Sequence, residues 1–184
     1  MIEIKHYIIG IDPGTSGAIA VIAPSSGLIE IHDCPTRSVR GSNGKPKDIL
    51  DFSGVASLLR SYRGNAIAVI EKVSAGLFRV DGDKQGEGKR TAIGAVSAST
   101  FMQNFGAWQQ ACACNDIPTR LVTPSVWKRT VGLSKDKARS IRVAAELFPR
   151  ADISDSHDRA EALMLAYYGW LADADAFLTP PPKL

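Results

Sequence analysis

A chain of 184 residues with 45% hydrophobic and 22% charged side chains has the make-up of an ordinary globular domain, large enough to bury about 70% of its unfolded surface. These values exclude a disordered, collagen-like or disulfide-stapled chain. No run approaches 18 consecutive apolar residues, so no membrane span is expected, and the opening MIEIKHYIIGID does not read as a signal peptide. The net charge of +3 is unevenly spread. Residues 1–71 are neutral, residues 72–142 hold twelve basic and five acidic side chains, and residues 143–184 hold three basic and seven acidic ones. A basic middle beside acidic positions suits a polyanionic partner with a cation close by.

In chain order, the apolar run Tyr7–Ile11 predicts a buried strand that ends at the turn Asp12-Pro13-Gly14. The run Ala18–Ala23 predicts a second strand, turned by Pro24-Ser25-Ser26-Gly27, and Leu28–His32 a third, completing an antiparallel meander. Residues 34–48, rich in Pro, Gly, Ser, Lys and Arg, read as a loop. Val55, Leu58 and Leu59 give Asp51–Arg63 helical spacing, with Gly64 just beyond. Ala66–Ile70 is an apolar strand that runs straight into Glu71. Residues 79–92 offer almost nothing to pack and read as a mobile loop.

A long helix over Ala95–Ala113 sets Phe101, Phe105, Trp108 and Cys112 on one stripe, as core or dimer interface. Ile117–Val122 reads as a strand, and Pro124 suits the first position of a helical turn through Trp127, itself a core residue. Ser134 is expected to cap a helix through Leu147, stopped by Pro149. Ser154 or Asp155 is expected to start a last helix carried by Ala160, Leu163, Met164 and Tyr167, before a frayed tail over 178–184. The three cysteines, Cys34, Cys112 and Cys114, lack zinc-ligand spacing and read as small buried residues of a reducing cytoplasm. The whole reads as one α/β domain: a single mixed sheet, antiparallel in its first three strands and parallel thereafter, flanked by helices.

The chemistry lies in the acids. Asp12 and Glu71 each follow a buried strand directly, and groups at the carboxyl ends of neighbouring strands converge on one crevice. Asp158 and Glu161 share a face at the start of the last helix. Any one of them alone reads as a cap or a surface acid. Together they would repel, and oxygen-ligated divalent cations are the usual remedy. Such a set can hold two Mg²⁺ ions about 3.5–4 Å apart, the arrangement that hydrolyses phosphodiesters. The basic middle then supplies a footprint for a nucleic-acid backbone.

The segments IIGIDPGTSGAIAVI, AIAVIEKV, TPSVWKRTVGLSKDKA and HDRAEALMLAYYG, in this order over about residues 7–170, resemble the RuvC-type Holliday junction resolvases, in particular their phage and chloroplast branch. The resemblance implies a ribonuclease H-like fold, and a homodimer that nicks opposed strands of a four-way DNA junction in the cytoplasm of a cell or of a phage's host. It implies Mg²⁺ as cofactor, two ions per site, with Mn²⁺ as a substitute. Position by position, it makes Asp12 and Glu71 the first two catalytic, metal-binding acids and Asp158 and Glu161 the pair on the final helix. The last acid is Glu where bacterial members have Asp, and HDRAEA is one residue shorter than the H-D-x-R-A-E-A form. The third position therefore falls to Asp158 or His157; Asp158 is preferred, with His157 a neighbouring ligand or proton shuttle. Asp155 pairs with Asp158 by spacing but suits a cap.

Lys135, Lys137 and Arg139 crowd a helix start, where the dipole disfavours cations. The resemblance makes one lysine there, taken as Lys137, a catalytic contact to phosphate. Lys128 and Arg129 are expected along a DNA arm, and Lys135 and Arg139 are expected to bind DNA as well. Lys84, Lys89 and Arg90 are candidates to fold onto the backbone. Leu77-Phe78 matches the place where resolvases carry a residue that wedges between bases at the branch point. Three other readings compete. The turn DPGTSG also resembles the phosphate loop of actin-like and sugar-kinase ATPases, which need two such domains. The second is a non-catalytic junction binder, which would be expected to lack an acid, and the third a nuclease for flaps or RNA–DNA hybrids.

Overall fold

A computed structural model describes residues 6–41, 44–72, 95–134, 136–154, 156–174, 177 and 181–182, with side chains from residue 98 onward in the helix that begins at Ala95. Its strands are β1 (Tyr7–Ile11), β2 (Ala18–Ala23), β3 (Leu28–Asp33), β4 (Thr36–Arg40), β5 (Pro46–Leu50), β6 (Ala66–Glu71) and β7 (Thr119–Val122). Its helices are α1 (Phe52–Arg60), α2 (Ala95–Cys114), α3 (Pro124–Thr130), α4 (Lys137–Leu147) and α5 (His157–Ala172). Five strands form one sheet in the order β3-β2-β1-β6-β7. The β1–β2 and β2–β3 pairs are antiparallel, and β1–β6 and β6–β7 are parallel. This is the expected mixed sheet.

One expectation fails. Residues 34–48 are not a loop, because β4 and β5 form a separate two-stranded antiparallel hairpin across them. Its alternation is masked in the sequence because both faces are mostly exposed, so no apolar period marks the strands. The described residues therefore form two sheets rather than one.

Both faces of the large sheet are covered, and its strands β1 and β2 are accordingly apolar throughout. One face packs α5, with α4 outside it, around Ile8, Ala20, Ile22, Val69, Leu163, Met164 and Tyr167. Sandwiched in this way, α5 is buried from Ala160 to Trp170, which is why its sequence shows little polarity on any side. The opposite face packs α1 and α2 around Ile9, Ile11, Val55, Leu59 and Trp108. Of the expected α2 stripe, Phe105, Trp108 and Cys112 lie in this core and Phe101 is half-buried.

The approach of β1 to α5 is close enough to need a missing side chain. A Cβ on Gly10 would fall 2.1 Å from the Ala162 carbonyl oxygen and 2.4 Å from the Ala166 nitrogen. One on Gly169 would strike Val69 and Ile8. These glycines seat the helix directly on the sheet and bring the start of α5 beside the end of β1.

Two caps sit later than expected. Asp136, not Ser134, caps α4 by accepting from the Ala138 N–H, while the Ser134 hydroxyl accepts from the Asp136 N–H just before the helix. Ser156, not Ser154 or Asp155, caps α5. Ser154 has a φ of +44° and so cannot enter the helix, and Asp155 lies outside the described residues. In the stretch expected to fray, the Pro182 carbonyl accepts a hydrogen bond of 2.6 Å from the Tyr167 hydroxyl. Cys34 and Cys112 are buried as expected, but Cys114 is exposed.

Candidate active site

The site forms where β1, β6 and α5 end or begin together. After Ile11 the backbone turns at once. The Gly14 N–H donates to the Asp12 carboxylate at 3.2 Å, and Gly17, whose Cβ would collide with the Asp12 carbonyl, lets the loop fold back into β2. From the other side of the sheet, Asn104 of α2 donates to the Thr15 hydroxyl at 3.0 Å and fixes this loop. Asp12 is thus held in place with one neutral hydrogen-bond donor. Burial pushes its carboxyl from an ordinary 3.8 up to about 6 against the pull of that donor, and the nearby charges of Asp158 and Glu161 push further.

Glu71 ends β6, paired in register with Val122 of β7. Two residues after Val122, Pro124 starts α3, and one turn later the buried Trp127 donates its indole N–H to the Glu71 carboxylate at 2.7 Å. Burial raises Glu71 to about 7; the indole hydrogen bond opposes the rise, and Asp12 and Glu161 add to it. Trp127 is therefore core, as expected, and also a donor to a site acid, which the residue order does not reveal.

On α5, His157 stands between the two helix acids. Its Nε2 lies 2.9 Å from Glu161 and its Nδ1 3.3 Å from Asp158. Glu161 is buried, and it also pairs with the Lys128 ammonium and lies 3.5 Å from the Ser140 hydroxyl of α4. Lys128 in turn lies over the Trp127 ring, 5.2 Å from its centroid. Lys128, the residue expected along a DNA arm, directs its ammonium onto Glu161. A cavity of about 440 Å³, lined by Thr123, Pro124, Ser125, Lys128, Arg129, Leu133 and Ser134, opens next to this lysine. Arg129, Lys137 and Arg139 are exposed, and Lys137 is the first residue of α4. Leu77, Phe78, Lys84, Lys89, Arg90 and Lys135 lie outside the described residues.

The structure thus brings Asp12, Glu71, Asp158, Glu161 and His157 into one electrostatic neighbourhood. Among the described residues no group of three His, Cys, Asp or Glu side chains closes into a ready-made metal cage. The acids are held by Gly14, Trp127, Lys128 and His157. The donor set still fits a hard divalent ion: the donors are carboxylate oxygens, and burial above all holds two of them back from ionising, a cost that a bound cation would offset.

No family profile matches the sequence, and no curated protein matches it. Among solved structures, RuvC of Thermus thermophilus in complex with a Holliday junction substrate superposes with a TM-score of 0.55 at 12% identity, over 96% of this chain and 99% of that one. A second Thermus thermophilus RuvC structure gives 0.54 at 14% identity over the same shares. The likeness is one of fold, and it extends over nearly the whole of both chains. Among the described residues no helix is long and apolar enough to cross a membrane.

Proposed function

We propose that the protein is a divalent-metal-dependent endodeoxyribonuclease that resolves four-way DNA junctions by paired nicks, acting as a homodimer. The observation that carries this reading is the convergence of Asp12, Glu71, Asp158 and Glu161 from three elements at the carboxyl ends of the inner strands β1 and β6, on a chain with the fold of a junction-bound RuvC. Junction DNA as substrate, nuclease chemistry and a role in recombination or repair follow from that likeness. The metal, the paired nicks and the dimer rest on the donor set and on the sequence motifs.

Asp12 and Glu71, with Asp158 and Glu161, would hold Mg²⁺, two ions per site. Bound there, the ions supply a water activated for attack and a charge that stabilises the leaving oxygen of the phosphodiester. Trp127 fixes the carboxylate of Glu71 through its N–H. His157, in contact with both helix acids, is placed to take or return a proton. Lys128 holds charge balance at Glu161 and can turn from it to a substrate phosphate beside the adjoining cavity. Lys137 and Leu77-Phe78 keep the roles the motifs give them, phosphate contact and wedge at the branch point. Specificity comes from shape, because a dimer offers two such sites at a fixed separation that an opened junction matches and a linear duplex does not.

The test is cleavage of an immobile four-way junction in Mg²⁺ beside a duplex, a flap and an RNA–DNA hybrid of the same sequence. The expected result is a pair of symmetric, ligatable nicks in the junction alone. Equal cleavage of the flap or hybrid would keep the metal site and discard the junction reading. Tight junction binding without cleavage of any substrate would make the protein a binder rather than an enzyme.

A further inference from the structure

The β4–β5 hairpin takes no part in the carboxylate site, yet it is rooted against it. The Asp51 N–H donates to the Pro35 carbonyl at 2.8 Å and closes the base of the hairpin. The preceding residue, Cys34, donates its N–H to Gly17 and its thiol to the Asp12 carbonyl at 3.4 Å. Asp33 accepts from Arg159, the residue after Asp158. From this base two strands of five residues run outward, about 17 Å at the usual rise, or half a turn of duplex DNA.

The arm is basic, and beyond Leu50, which anchors its base in the core, it is mostly exposed. Residues 36–50 hold Arg37, Arg40, Lys45 and Lys47 against the single acid Asp48, and all four cations are exposed. Among the described residues Arg37, Arg40 and Lys47 have no ion pair. The strands pair only with each other, and an isolated two-stranded ribbon is marginal in water before any charge repulsion is added. The register sets Arg37 opposite Ile49 and Lys47 opposite Val39 on one face, and Arg40 opposite Pro46 on the other, next to the turn that Lys45 flanks. The charge therefore lies on both faces and near the tip. A flat acidic protein surface would meet only one face of such a ribbon, whereas a nucleic-acid groove presents phosphates on both sides of it.

We infer that the β4–β5 hairpin is a DNA-gripping arm in which Arg37, Arg40, Lys45 and Lys47 hold the phosphate backbone of a duplex that leads into the carboxylate site. The inference rests on the nuclease reading and adds a binding element to it. The grip is electrostatic, so its signature is salt dependence: each phosphate that the arm no longer neutralises makes the slope of log K against log salt shallower by about 0.9.

The experiment measures binding of a labelled four-way junction and of a linear duplex from 50 to 300 mM salt, in Ca²⁺ to hold cleavage back. It compares the parent with the variant Arg37→Gln/Arg40→Gln/Lys45→Gln/Lys47→Gln. The variant is expected to bind both DNAs about 10–100-fold more weakly at 150 mM salt, with a slope shallower by about 2–4. The half-variants Arg37→Gln/Lys47→Gln and Arg40→Gln/Lys45→Gln should each show part of this change in slope, and Arg37→Lys/Arg40→Lys should keep the parental slope. Parental affinity and slope in a Gln variant with the parental circular dichroism and melting temperature would overturn the inference and leave the nuclease reading standing. A parent that binds neither DNA would overturn both.

Discussion

The fold treats the two pairs of site acids differently. Asp12 and Glu71, at strand ends, are half-buried with one neutral donor each, the Gly14 amide and the Trp127 indole. Asp158 and Glu161, on the first turns of α5, meet His157, and Glu161 meets Lys128 and Ser140 as well. Within the helix pair Glu161 thus receives the Lys128 ammonium by direct contact, whereas Lys128 reaches Glu71 and His157 reaches Asp12 only at a distance. A site built in this way is half neutralised in advance, and the remaining deficit lies on the strands, where an incoming divalent cation gains most.

The sharpest way to break this comparison is to remove one strand acid. Asp12→Asn should cut Mg²⁺-dependent nicking by about 10³-fold or more, roughly 4 kcal/mol of transition-state stabilisation, while junction binding persists. The same change should raise the melting temperature of the metal-free protein, because an uncompensated buried charge is gone. Asp158→Asn should also lose activity but bring no such rise, since it surrenders its hydrogen bond with His157. Appreciable activity in Asp12→Asn, or a lower melting temperature, would contradict the assignment.

The second effect is on stability against pH. The Asp12 carboxyl ionises at about 6 in the folded chain and near 3.8 when unfolded, so the unfolded chain releases this proton first. Its contribution is most favourable below pH 3.8 and falls as pH rises to about 6, by about 3 kcal/mol at 1.36 kcal/mol per unit. Glu71 acts in the same sense between 4.5 and about 7, within the same coupled cluster. A cation bound to the ionised acids relieves this cost. Mg²⁺ should therefore raise the melting temperature more at pH 7.5 than at pH 5, and should do so little in Asp12→Asn. Equal shifts at both pH values would show that the strand pair is not where the ion gains.

Trp127→Phe is a smaller perturbation aimed at the same pair. It keeps the buried ring and deletes only the N–H that holds Glu71, so the loss should be the 10–100-fold typical of a removed partner to a metal-binding carboxylate. Half-saturation should move to higher Mg²⁺ concentration, and direct titration with Mg²⁺ should weaken in parallel. A merely structural indole would lower the melting temperature without moving the metal titration.

Trp127 also marks the limit of what could be read from residue order. The strands, α2 and the four acids were legible because each announces itself locally, by an apolar run, a stripe or an acid placed directly after a strand. That an indole on α3 reaches Glu71 depends on β7 pairing beside β6, an association of segments some 50 residues apart that no local period encodes. The same holds for Lys128, expected along a DNA arm, whose pairing with Glu161 no local pattern announces. The β4–β5 hairpin escapes for a different reason: with both faces largely exposed, it lacks the alternation that identifies a strand. Caps shifted by two residues at α4 and by one or two at α5, because neighbouring Ser and Asp residues compete for the same backbone donors.

The smallest expected effect concerns how the helix pair is kept in place. Arg159 donates from Nε and Nη2 to both carboxylate oxygens of Asp33, at 2.7 and 2.9 Å, and so ties the first turn of α5 to the end of β3. The Arg159 hydrogen bond holds the Asp33 carboxyl below its usual 3.8, so the pair stabilises above that pH and loses its effect as pH falls through the lowered value. Asp33 is 70% exposed, however, and solvent discounts the gain. A double-mutant cycle of Asp33→Asn and Arg159→Gln should give a coupling of about 0.5–1 kcal/mol at 50 mM salt, shrinking towards zero at 500 mM. Nicking should change less than in Trp127→Phe, since neither residue touches a strand acid. A coupling above about 2 kcal/mol that ignores salt would mean that the seat of α5, and with it the helix pair, depends on this one ion pair rather than on the packing of Gly10 and Gly169 against the sheet.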